Sequence, residues 1–98
     1  MLSPSTAWLQ WVDPSLGRHQ QISDNRYYNV HYQPLLGTSK SLSVIVKALH
    51  VVLYDLQPGT RYGFKVRTVK DGNASEFSDR VTNRTFEKGG ALCVIVCV

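Results

Sequence analysis

Apolar and polar residues alternate in twos along most of this chain and fall almost nowhere at the three-and-four spacing of a helix, which predicts half-buried β-strands. From Thr6 to Val12, one face carries Ala7, Leu9 and Trp11 before Asp13-Pro14-Ser15-Leu16-Gly17 breaks the run with turn residues. Tyr28, Val30 and Tyr32 form the next inward set, stopped by Pro34. Leu42 to Val46 reads as a third strand, and Val51, Leu53 and Leu56 mark a fourth that ends at Gln57-Pro58-Gly59-Thr60. The clearest pattern follows: Tyr62, Phe64, Val66 and Thr68 alternate with Arg61, Gly63, Lys65 and Arg67, giving one apolar and one cationic face. Asp71-Gly72 is a hairpin-turn signal, and Val81 to Phe86 returns as a last strand. Strands with turn signals about every ten residues predict an all-β, immunoglobulin-like sandwich of two antiparallel sheets. Its expected core is Trp11, Tyr28, Tyr32, Leu56, Tyr62 and Phe64.

The chain has 98 residues, enough for one domain. Composition shifts at Lys88-Gly89-Gly90, beyond which Ala91-Leu92-Cys93-Val94-Ile95-Val96-Cys97-Val98 carries neither charge nor proline. The expected division is a domain over residues 5–87 and a Gly-Gly linker with an apolar tail over residues 88–98. Two fates suit that tail. Exposed, its composition is that of a self-associating segment; tethered by its glycines, it folds back along an open sheet edge. No run approaches the roughly 20 apolar residues of a bilayer-spanning helix, so membrane insertion is not expected, and Met1-Leu2-Ser3-Pro4-Ser5 lacks the basic start of a secretory leader. Cys93 and Cys97 lie too close together for a bond between them to staple the fold.

Trp11, Tyr28-x-Val30-x-Tyr32 and the run Leu56-Gln57-Pro58-Gly59-Thr60-Arg61-Tyr62-Gly63-Phe64-Lys65-Val66 resemble the fibronectin type III family. The run is similar to that family's tyrosine corner, in which the Tyr62 hydroxyl would tie back to backbone just upstream. Trp11-Val12-Asp13-Pro14-Ser15-Leu16, His19 to Tyr28 and Thr85-Phe86-Glu87 further resemble a membrane-proximal repeat of the neogenin and deleted-in-colorectal-carcinoma guidance receptors. That resemblance implies an extracellular, non-enzymatic interaction module of a cell-surface adhesion receptor, with a netrin or a repulsive guidance molecule as protein ligand. A purely structural spacer and an intracellular scaffold module are its alternatives. Family modules carry a strand before the Trp-bearing one, and with ten residues ahead of Trp11 that strand is expected to be missing or stunted, which would open the edge of the Trp11 strand.

Candidate chemistry narrows the picture. His19, His31 and His50 are scattered and far in sequence from the cysteines, so neither a metal site nor a catalytic constellation is expected, and no cofactor motif occurs. The formal net charge of +4 favours acidic partners. His31, Lys65, Arg67, Arg80 and Arg84 are the candidate stripe on the outward sheet face, with Arg26 and Lys70 added from nearby loops. Such a stripe is either a solvated surface or a site for heparan sulfate or another acidic ligand. Nucleic acid is not expected, because the outward positions offer no aromatic platform beyond Tyr27. Trp8, out of register with the inward set, is a candidate contact residue. Asn73-Ala74-Ser75 and Asn83-Arg84-Thr85 are glycosylation sequons.

Overall fold

The computed structural model describes residues 5–35, 37 and 40–98; of the opening residues read above for a leader, the first four lie outside them. Strands β1 (Ser5–Val12), β2 (Tyr27–Pro34), β3 (Leu42–Val46), β4 (His50–Leu56), β5 (Arg61–Lys70), β6 (Asn73–Ala74), β7 (Val81–Arg84) and β8 (Gly90–Cys97) build two sheets. One sheet has the order β4-β1-β8; in the other, β3-β2-β5, both β6 and β7 pair with the far edge of β5. The alternating pattern translates directly into packing. Ala7, Leu9 and Trp11 from β1 meet Tyr28 and Val30 from β2, Leu53 and Leu56 from β4, and Tyr62, Phe64 and Val66 from β5. Tyr32 is half-buried at the margin of this core. Tyr62 makes the tie its sequence context implies: the Gln57 N–H donates to its hydroxyl at 2.9 Å.

Beyond Glu87, where the domain was expected to end, the chain continues into the sandwich. Gly89 and Gly90 both adopt positive φ, at 81° and 108°, a region open to glycine at little cost, and they swing the chain from one sheet to the other. β8 then lies parallel to β1 along its whole length, from Ser5↔Gly90 to Val12↔Cys97, and the Val98 N–H extends the pairing to the Val12 carbonyl. It occupies the edge of the Trp-bearing strand that the sequence left open. Leu92, Val94 and Val96 point into the core, while Cys93, Ile95 and Cys97 face out. Three buried aliphatic side chains at about 1.5–3 kcal/mol each are comparable to the whole stability of a small domain, about 5–15 kcal/mol. The tail is therefore a structural element of the described fold.

Trp8 faces outward on the same sheet, 46% exposed, and its ring stacks on His50 with centroids 5.7 Å apart.

Candidate functional site

The outward face of the β2–β5 sheet is set by register. His31 lies opposite Lys65 and Asn29 opposite Arg67, so two cations of β5 and the histidine of β2 share one surface. The connection from β6 to β7 completes it. Ser75 and Ser78 zip that segment to β5: the Ser75 and Ser78 N–H groups donate to the Thr68 and Val66 carbonyls at 2.8 Å. In return the Thr68 and Val66 N–H groups donate to the two serine hydroxyls at 3.0 Å. Held between these clamps, Phe77 lies over the cations. Lys65 Nζ is 4.4 Å and the Arg67 guanidinium carbon 4.7 Å from its ring centroid, and the His31 ring packs at 4.6 Å, tilted by 56°. Cation–π attraction fixes long side chains that would otherwise wander in solvent. Arg67 is pinned further, its Nε donating to Asn29 Oδ1 at 3.0 Å.

Arg80 lies across Gly63, which has no side chain: a Cβ there would stand 2.7 Å from Arg80 Cδ and force the arginine side chain to shift. Together with His31, Gln33, Ser41 and Lys65, Arg80 and Gly63 line a shallow cavity of about 60 Å³. Among the described residues, no carboxylate lies within ion-pair distance of Lys65, Arg67 or Arg80. Burial and the neighbouring charges of Lys65 and Arg67 push His31 below its ordinary pKa of 6.5, so the site resists adding a further positive charge when empty.

Three sequence-based assignments need revision. Arg84 stands opposite Arg61 farther along β5, donating to the Gly59 carbonyl and lying 3.4 Å from Glu87, so it is outside the Phe77 cluster. Arg26 is not a free surface cation. It is buried, 3.0 Å from Asp13 and bonded through Nε and a terminal nitrogen to both oxygens of Asp24, each at 2.8 Å; Lys70 reaches the same Asp24 at 3.5 Å. Asp13, read as a turn former, does cap the short 3-10 turn Pro14–Leu16, but its carboxylate also accepts from the Tyr28 hydroxyl at 2.8 Å in the interior. Hydrogen bonds from Ser15, Tyr28 and Arg26 outweigh burial and hold Asp13 below its ordinary pKa, keeping the buried group ionised. This polar knot joins the long β1–β2 connection to the core and leaves little of its charge for a ligand. The third revision concerns aromatics: Phe77 sits on the cationic face, in a loop without periodicity. The flanking Ser75 and Ser78 were the available hint.

Asn73 and Asn83 are both exposed. Among the described residues there is no group of three His, Cys, Asp or Glu placed to hold a metal, and no helix is long and apolar enough to cross a membrane.

The fibronectin type III domain model matches residues 2–84. The chain belongs to that family. Among curated proteins, neogenin of Homo sapiens is 33% identical over 88 residues, covering 89% of this chain and 6% of neogenin, and neogenin of Rattus norvegicus matches equally. Protogenin of Homo sapiens is 29% identical over 89 residues, 88% of this chain and 7% of protogenin. The chain thus spans a small fraction of the length of these relatives. Among solved structures, an alternative pilotin from the type II secretion system of Vibrio cholerae superposes with a TM-score of 0.50 at 15% identity, covering 99% of this chain and 96% of that one; this likeness concerns the fold alone. Strand β8 lies beyond the stretch matched by the fibronectin type III model.

Proposed function

We propose that this fibronectin type III domain is a non-enzymatic, receptor-type interaction module of the extracellular kind, which binds an anionic ligand through the face formed by His31, Lys65, Arg67 and Arg80. Heparan sulfate, or an acidic patch on a protein ligand, has the matching chemistry. The carrying observation is the set of cations held around Phe77 without a carboxylate partner among the described residues. Ordered cations lose little side-chain entropy on meeting a ligand, and an anion gains attraction from all of them together. The similarity to neogenin and protogenin supports the receptor context. Netrin-type or repulsive-guidance-type ligands come from that similarity and not from the geometry of the face.

Elution from immobilised heparin, set beside elution from a sulfonate cation exchanger of equal charge density, tests the reading. Specific recognition requires later elution from heparin, and Lys65→Ala/Arg67→Ala must remove the difference. Coincident elution of the unaltered protein from both columns would leave the face as a solvated surface.

A further inference from the structure

Among the described residues, every sheet edge but one carries some protection against strand pairing, β6 by being only two residues long. β3 is flanked by Lys40 and Lys47, β7 carries Arg84 with Arg80 beside it, and Asp55 interrupts β4 with a φ of 59°. A second copy approaching β7 edge to edge would set arginine against arginine. Among the described residues, β8 ends its sheet with no ladder partner on its outer side, and from Gly90 to Val98 it has no charged side chain and no proline. Because the Val98 N–H reaches Val12, and backbone groups alternate in direction along a strand, the N–H and C=O groups of Cys93, Ile95 and Cys97 turn toward the open edge.

We propose that this edge binds a second copy of the chain, β8 against β8 in antiparallel register about a two-fold axis at Ile95. The axis sets Cys93 of each copy opposite Cys97 of the other and fuses the two three-stranded sheets into one of six strands. The edge adds no charge to the seam and satisfies the outward backbone groups of the three residues reciprocally. The thiols support this register. Both cysteines are exposed and free, and both side chains face out beside Ile95. Within one strand, four residues separate their Cα atoms by about 13 Å, beyond bridging range; directly opposed strand residues sit about 5.5 Å apart, inside it. Under a disulfide oxidant such as glutathione disulfide, the Cys93 thiolate attacks the oxidant and releases one glutathione thiol. The facing Cys97 thiolate then resolves the mixed disulfide and releases the second. Each interchain bond thus consumes two protein thiols and one small disulfide and yields two small thiols.

The reduced protein is examined by sedimentation velocity across a concentration series, then oxidised with glutathione disulfide and peptide-mapped. The expected results are a concentration-dependent dimer and Cys93–Cys97 interchain peptides. Ile95→Lys, a change at a 69% exposed position, is expected to give a monomer whose melting temperature matches that of the unaltered protein at concentrations too low for dimer. Cys93→Ser alone is expected to abolish the covalent dimer, since Cys97 then faces only Ser; cross-linking by random collision would persist through Cys97 pairs. A reduced protein that stays monomeric at all concentrations, an Ile95→Lys protein that still dimerises, or a Cys93→Ser protein that still cross-links would overturn the proposal.

Discussion

Val96→Ala separates a structural β8 from a dangling tail. Val96 is fully buried between the sheets, whereas its neighbour Ile95 is 69% exposed. Removing the two γ-methyls forfeits roughly 0.8 kcal/mol each in transfer energy, and the residual cavity raises the loss to about 2–3 kcal/mol. For a domain of this size each kcal/mol moves the melting temperature by about 4–8 °C, so a fall of roughly 8–24 °C is expected by differential scanning calorimetry. Ile95→Ala, removing more carbon from the monomer's surface, should stay within about 0.5 kcal/mol of the unaltered protein at concentrations where both are monomeric. Val30→Ala, in the core of the other sheet, calibrates the scale. If Val96→Ala melted with Ile95→Ala while Val30→Ala fell, the strand would not be part of the fold in solution and the packing argument for residues 90–97 would fail.

Three further outcomes follow from the side-chain chemistry. Tyr62→Phe removes the partner of the Gln57 N–H and should cost about 1 kcal/mol in urea unfolding with an unchanged m-value; no loss would mean that the corner contributes nothing net. Asp24, held well below its ordinary 3.8 chiefly by hydrogen bonds from Arg26, stabilises the fold fully above that value. As pH falls below it the unfolded chain takes up the proton while the folded carboxylate stays ionised, so the contribution is progressively lost, and Asp24→Asn should flatten the acid limb of stability; an unchanged limb contradicts the pairing. His31 shifts in the same direction for a different reason, because burial and the charges of Lys65 and Arg67 disfavour its cation. Its folded pKa lies below 6.5, so the unfolded chain protonates first as pH falls and stability drops, while a bound anion favours the imidazolium. Heparin affinity should therefore rise between pH 7.5 and 5.5, and lose that rise in His31→Gln; a parallel rise in both proteins refutes His31 as its source.

Much of the fold was legible because burial on a sheet repeats every second residue. Leu42–Val46 begins and ends where the alternation does, and the Pro58-Gly59 turn with Tyr62 marks a local device whose parts all lie within six residues. The site was only half legible. Lys65 and Arg67 sit on a strand, so their face follows from their parity, and His31 follows from the register of β2. Phe77 has no parity to read, and its position depends on two serine clamps onto a strand formed earlier in the chain. Arg26 misleads for a similar reason: its burial is created by Asp13, thirteen residues away, across a connection whose path no local pattern specifies. For β8, composition allowed either an exposed self-associating tail or a strand folded back along the open edge of the Trp11 strand. Nothing within residues 90–98 distinguishes pairing with β1 from pairing with another molecule.

Salt dependence measures the central claim most directly. Heparin affinity is determined by calorimetry over a salt series for the unaltered domain, for Lys65→Ala/Arg67→Ala, and for Lys47→Ala/Lys88→Ala, which removes the same charge from exposed positions away from the Phe77 cluster. Counterion release ties the slope of log K against log salt to the number of cations in contact with a polyanion, so losing two should shallow it by about 1 to 2. The account predicts that shallowing in the Lys65/Arg67 variant alone. Equal slopes in the two double variants would show that net charge, and not the face around Phe77, governs binding.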